Sequence, residues 1–248
     1  MASKAEANVP KVDAKLAKVE GKECIVEGVI ETQHVKALEV LLQGISGNQK
    51  KKVKVHEIVL KNVRNLGKSV QELRLRCSLE EPQPSWTVTH IGGGMRGATA
   101  EKIPALVRNR EDSKVSNRAL GFFNKLGYKF DHELLRVGFT FKAIQNVTTE
   151  AVETDFEITT SVTSIHKIPK IFEIDTAEPL TPGLHLVEVS TPTSAENFLE
   201  AATAISTFSE FLAPLLHLSK PGDITGLSST ASAAATSIMS RGSSGKLG

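Results

Sequence analysis

Hydrophobic positions along this 248-residue chain change period several times, and each change predicts an element. Residues 22–30, KECIVEGVI, interleave Ile25 and Val29 with Val26 and Ile30, which predicts a strand covered on both faces. The period then switches. Val35, Leu38, Leu42 and Ile45 fall at i, i+3, i+7 and i+10, with Leu41 beside them, while Glu31, Lys36, Glu39 and Gln43 take other positions. Gly44 and Gly47 mark the end of this helix. Burying each aliphatic side chain is worth ~1.5–3 kcal/mol. That is enough to hold, against something flat, a helix too short to persist alone.

Strand patterns then accumulate. Residues 52–62 are β-branched and mostly alternating, and 70–79 set Leu73, Leu75, Cys77 and Leu79 against Glu72, Arg74 and Arg76. Pro82 and Pro84 break the chain before SWTVTHI (85–91), with Trp86, Val88 and His90 on one side. After a glycine loop, PALVRNRED (104–112) reads as a strand. Residues 117–127 read as a helix with Leu120 and Phe123 inside, Leu126 a candidate third member and Gly127 the stop. YKFDHELLRVGFTFKAIQ follows as strand, with a face switch at Leu134–Leu135 that indicates a bulge or turn. Phe156, Ile158, Val162 and Ile168 share a face of the longest candidate strand, ended by Pro169. GLHLVEVS (183–190) is the last strand.

The best helix opens with Pro192 and the capping-box pattern Thr193-x-x-Glu196. Phe198, Ala202, Ile205, Phe208 or Ser209, Leu212 and Leu215 carry its stripe to about His217, with Pro214 bending or fraying the last turn. Strands in runs, rather than alternating with helices, predict a mainly-β, antiparallel α+β fold. So many runs in one domain favour closure into an antiparallel β-barrel with helices packed outside, which removes exposed edges. A single domain over 22–222 is expected, between a disordered tail at 1–21 and a disordered Ser/Ala/Gly-rich tail at 223–248.

Composition narrows the class. Thirty Lys plus Arg against 28 Asp plus Glu give a net charge of +2, no broad field for nucleic acid or an anionic membrane. Cys24 and Cys77 cannot build a disulfide framework and show no CxxC spacing, so a reducing intracellular compartment is expected. The first residues lack the apolar core of a signal peptide, Ala2 stands where myristoylation needs glycine, and no window reaches ~18 apolar residues.

Candidate chemistry is thin. Gly92, Gly94 and Gly97 satisfy GxGxxG, but Pro104 follows too soon for a pyrophosphate-holding helix, so an inter-strand loop is expected. Asp131-His132-Glu133 resembles a ligand cluster. In a regular strand, however, Asp131 and Glu133 share one face, with Lys129 or Arg136 as partners, and His132 packs inward with Tyr128 and Phe130. The remaining histidines have no metal-ligand spacing, the serines no GxSxG elbow and the thiols no activating pair. Lys50-Lys51-Lys52-Val53-Lys54 reads either as a basic nuclear-import patch or as a solvated strand start. Asn146-Val147-Thr148 is a formal glycosylation sequon, without meaning inside a cell. A triphosphate-processing tunnel enzyme is the rival reading, motivated by Arg74 and Arg76 on one alternating face. It lacks the paired carboxylates for Mg²⁺, since the first strand carries only Glu27 inside it. No catalytic, cofactor or metal residue is assigned, and a barrel holding a small apolar ligand is a third option.

The segments VEGVIETQHVKALEVLLQGISG, VHEIVL, SWTVTHIGG, PALVRN, LGYKFDHELLRVGFTF and FSEFLAPLLHLSKP occur in one order over about Lys22 to Gly222. In that order and spacing the chain resembles the family of Mediator complex subunit 18, and the GGGMRG loop is most like its plant branch. The resemblance implies a triphosphate-tunnel-like barrel without catalysis or cofactor, in a nuclear subunit of the Mediator head module. It implies a heterodimer with subunit 20, a tethering helix from subunit 8, and contact with the RNA polymerase II machinery as a transcription coregulator. Direct sequence-specific nucleic-acid binding and membrane binding are not expected. The family also tips the basic run toward nuclear import. Animal members lack the long glycine loop and fungal members carry large insertions, so no partner-binding residue is carried over.

Overall fold

The computed structural model describes residues 21–47, 50–62, 72–148 and 153–221; both expected tails lie outside them. Nine strands and four α-helices follow in the order β1 (Lys22–Glu31), α1 (Thr32–Ser46), β2 (Lys51–Asn62), β3 (Glu72–Ser78), β4 (Trp86–Gly94), α2 (Ala98–Lys102) and β5 (Leu106–Val115). Then come α3 (Ala119–Lys125), β6 (Tyr128–Thr148), β7 (Glu153–Lys167), β8 (Glu178–Pro179), β9 (Leu184–Thr193) and α4 (Phe198–Leu212). All strand pairings are antiparallel, in the order β6-β2-β3-β4-β5-β1-β9-β7-β8, and β6 also pairs with β7. That extra pairing returns the sheet on itself as a ring of eight strands, with the two-residue β8 appended to β7.

Two glycines permit the tightest approaches. Gly138 on β6 lies against the Val162 carbonyl of β7, where any Cβ would collide. The other is at a seam. β1 pairs with β5 only over Lys22–Ile25; beyond it, Glu27 exchanges backbone hydrogen bonds of 2.8 and 2.9 Å with Ser219. Gly28 makes room for that segment, since a Cβ there would meet the His217 carbonyl at 2.5 Å.

Alternation divides each strand between the ring interior and its outside. Outside lie two apolar cores. Leu38 and Leu42 of α1 and Ala201, Ile205, Phe208 and Leu212 of α4 pack on Cys24, Val26, Phe141, Ile158 and Val187 of the strands. The expected stripes hold: Val35, Leu41 and Ile45 flank the first helix's contact and Phe198 and Leu215 the second's. The smaller core joins Ile58, Leu60, Leu73 and Leu75 to Ala119, with Leu120, Phe123 and Trp86 partly buried around them.

Several local expectations change. Leu126 is exposed, because α3 stops at Lys125. β4 runs on through Gly94, and a single turn of helix, α2, occupies part of the expected glycine loop. α4 begins at Phe198 rather than after Thr193: Thr193 ends β9, and the Asn197 side chain gathers Ser194 N–H (2.8 Å) and the Ser194 and Thr193 hydroxyls (2.9 Å each). The helix stops at Leu212, so Pro214 sits in the turn beyond it. β6 is one 21-residue strand with no face switch at Leu134–Leu135. Its bulge falls earlier, where Val59 faces His132 and Leu60 faces Phe130, leaving Asp131 as the extra residue.

Candidate functional site

The interior face is polar where the outside is apolar. Arg74 and Arg76 of β3 do point into it, as their alternation predicts, and meet Arg108 and Arg110 of β5 and Arg136 of β6 around a cavity of about 410 Å³. Glu57 on β2 lies beneath three of them with its side chain 0% exposed: Arg74 Nη1 is 3.0 Å, Arg76 Nε 2.8 Å and Arg136 Nε 3.5 Å from its oxygens. Glu23 on β1 takes Arg108 Nε at 2.7 Å and Arg110 Nη1 at 2.9 Å. Arg74 also binds Glu72 (2.8 Å), Arg110 binds Asp112 (2.9 Å) and Arg136 binds Glu188 (2.9 Å).

The electrostatics follow from that wiring. Burial pushes the Glu57 carboxyl up, yet Arg76, Arg136 and Arg74 together hold it below its ordinary value. Glu27 goes the other way. Burial first, then Glu188, its register partner on β9, raise it, against the opposing pull of Arg108 and Arg136. Neither thiol is activated: burial pushes Cys24 up to about 12, and burial also raises Cys77.

A second constellation sits outside the ring. Glu133, 3% exposed, accepts from or donates to His56 Nε2 at 2.8 Å and accepts the Phe172 backbone N–H at 2.5 Å. His56 stacks edge-on against Trp86, 5.8 Å between centroids. Phe172 has φ +65°, left-handed for a side chain that rarely adopts it, and is nonetheless 54% exposed. Its ring lies 6.5 Å from Phe130. With Ile171 these exposed side chains line a groove of about 640 Å³, together with Leu60, Leu120 and Tyr128; Phe122 and Leu126 of the nearby helix end are exposed as well.

The Asp131-His132-Glu133 triplet divides differently from expectation. The bulge separates His132 from Phe130 and leaves Asp131 and His132 together in solvent, 2.6 Å apart, with Lys61 rather than Lys129 or Arg136 as the cationic partner of Asp131 at 2.8 Å. His132 is therefore not a core histidine: its side chain is 47% exposed, while Glu133 is the buried member. No group of three or more metal-ligating side chains occurs among the described residues. In the GxGxxG segment, Gly94 closes against Leu106 and Gly97 takes φ +104°, ahead of the five-residue α2, shorter than a phosphate-holding helix. Lys50 is tied to Glu39 at 2.7 Å and over the Phe139 ring, whereas Lys51, Lys52 and Lys54 start β2 exposed to solvent. Asn146 donates to Asp155 and accepts from Thr148. Sequence reasoning missed the convergence of Arg108, Arg110, Arg136, Glu23 and Glu57. The signal was present as two-residue spacing in VRNRED, but nothing in it fixes the strand order.

Three comparisons bear on what this arrangement is. No family model matches the chain. It is 52% identical over 220 residues to Mediator of RNA polymerase II transcription subunit 18 of Arabidopsis thaliana, covering 89% of this chain and 96% of that protein. Over 202 residues it is 28% identical to the Danio rerio protein of the same name, covering 80% and 88%. Its fold is similar to a chain in the structure of the Schizosaccharomyces pombe Mediator head module, with TM-score 0.61 and 16% identity over 80% of this chain and 98% of that one. With collinear identity at that level over nearly the whole of a relative, the chain belongs to the family of subunit 18 of the Mediator of RNA polymerase II transcription.

Proposed function

We propose that this protein is a non-enzymatic scaffold subunit of the Mediator head module in the nucleus, acting as a coregulator of RNA polymerase II through its outer surface. In this reading the ring is a closed barrel of the triphosphate-tunnel type, one domain over 22–222, flanked by the two tails. It pairs with subunit 20 and receives a helix of subunit 8, and Lys51, Lys52 and Lys54 serve nuclear import.

The observation that carries the proposal is the patch around Phe172. A bulky residue held at positive φ costs about 1–2 kcal/mol, and here that cost sets an aromatic ring in solvent rather than in a core. Glu133 holds the Phe172 N–H in place, and the ring presented to solvent is open to a contact with another molecule. Exposed aromatics around an apolar groove match the way an amphipathic helix is received, and the groove beside Phe130 is assigned to the subunit 8 helix. The interior supports the same reading, because Glu57 and Glu23 are committed to arginines and are not free to hold Mg²⁺.

Co-expression with subunit 20 and the subunit 8 segment from the same source should give one stoichiometric complex on size exclusion. Separate peaks at micromolar concentration would sink the proposal. So would phosphate release from nucleoside triphosphates, with Mg²⁺ or Mn²⁺, that Arg74→Ala abolishes.

A further inference from the structure

We propose that the ring interior binds a compact phosphate-bearing anion, held without metal by the guanidinium groups of Arg76, Arg108 and Arg136 and the hydroxyl of Thr163. The cavity of about 410 Å³ is ample for such a ligand. The arginines that line it are unequally used. Arg74 and Arg110 each bind two carboxylates through separate nitrogens. Arg76 and Arg108, by contrast, each engage a carboxylate through Nε alone among the described residues, at 2.8 and 2.7 Å. Both residues line the cavity, and among the described residues their terminal nitrogens have no carboxylate partner; the paired N–H donors of a guanidinium match two oxygens of a tetrahedral anion. Arg136 binds Glu188 through one terminal nitrogen and leaves the other open.

An independent observation points the same way. Thr163 is 1% exposed and lines the cavity, and its Oγ1 has no hydrogen-bond partner. A buried hydroxyl is rarely left so unless a ligand or water takes it. Its register partner on β6 is Gly138, and the next interior-facing residue along that strand is Arg136. The orphan hydroxyl and a part-spent guanidinium thus face one space, with no side chain at Gly138 between them.

The site is coupled to one proton. Glu27 faces Glu188 on β9, Arg108 on β5 and Arg136 on β6, with Glu23 on its own strand, and it forms no ion pair among the described residues. Its carboxyl lies above the usual range through burial and Glu188. An incoming anion raises it further, so anion binding takes up a proton at Glu27 and weakens as pH rises. This holds whether or not the outer surface docks the partners proposed above.

The test is calorimetric titration of the full chain with inorganic pyrophosphate in EDTA, at about pH 6 and about pH 8. One saturable site is expected, and comparison with Glu27→Gln at both pH values separates proton uptake at Glu27 from the ionisation of pyrophosphate itself. Thr163→Val and Arg76→Gln should each weaken it about tenfold or more, the loss of one charge-assisted hydrogen bond. Glu27→Gln should tighten it at the higher pH and flatten the pH dependence. Replacing Lys51, Lys52 and Lys54 together by Ala should change nothing. Thermal melts identify any variant that fails to fold; Thr163→Val is nearly isosteric, so it decides the matter if Arg76→Gln does not fold. The proposal is overturned by no saturation at millimolar pyrophosphate, by binding that Thr163→Val leaves intact, or by binding lost with the lysines. Binding that requires Mg²⁺ also overturns it, because the Glu27–Glu188 pair would then be holding a metal.

Discussion

The two halves of the ring's outer surface are covered by helices of different length. Over β1, β6, β7 and β9 lie α1 and α4, each 15 residues, and beneath them Leu38, Leu42, Ile205 and Leu212 are wholly buried. Over β2, β3 and β4 the helix among the described residues is α3, seven residues. At 1.5 Å per residue α3 reaches about 10 Å, less than half the span of either longer helix. Phe122, Leu126, Phe130, Ile171 and Phe172 remain in solvent around it. Helix length explains why this half is thinly covered, but not why Phe172 is held left-handed within it. The first half is built as a core, and the second is built as a surface.

Leu42→Asp should have the largest effect. It places an unpaired charge at a position 0% exposed, a cost above about 4 kcal/mol, and should abolish cooperative melting by circular dichroism. Glu133→Ala should follow at about 3–5 kcal/mol in chemical denaturation, since it strands His56 and frees the Phe172 backbone. Phe123→Asp should cost less, about 1–3 kcal/mol, because Phe123 is only partly buried; a loss as large as for Leu42→Asp would erase the contrast.

Phe172→Gly separates surface from core. Relief of positive φ offsets the lost Phe130 contact, so its melting temperature should stay within a few degrees. Affinity for the subunit 8 segment should nonetheless fall about thirtyfold, the size of a hot-spot contact.

The smallest expected effect lies inside the ring. Glu27 has a raised carboxyl when folded, so its contribution is full below the unfolded value and is lost as pH rises through the folded one. Glu27→Gln should therefore raise the melting temperature slightly at neutral pH and flatten its pH dependence above about pH 4.3. Glu57, held low by its arginines, has the opposite sign, with stability lost only on acidification below that range.

Which parts were legible in the sequence follows from the range of the interactions involved. The α1 stripe of Val35, Leu38, Leu42 and Ile45 and the alternation of Arg74 and Arg76 are local periods, and both survive in the structure. Closure through β6–β7, and with it the meeting of Arg76, Arg108 and Arg136, depends on strand order, which no local period encodes. His132 shows how little is needed to reverse a local reading. One extra residue at Asp131 parted an expected core histidine from Phe130, left it in solvent and left Glu133 as the buried hub. At the start of α4, Thr193 offered a cap by its sequence pattern, but β9 pairing with β1 claims it, and Asn197 holds the N-cap position with its side chain turned back to Thr193 and Ser194.

Hydrogen exchange on the free chain and on its complex with the subunit 8 segment tests the surface claim most directly. New protection is expected at residues 119–132 and 168–174, around Phe130 and Phe172, with α1 and α4 unchanged. Protection confined to α1 and α4, with the Phe172 patch exchanging as in the free chain, would contradict it.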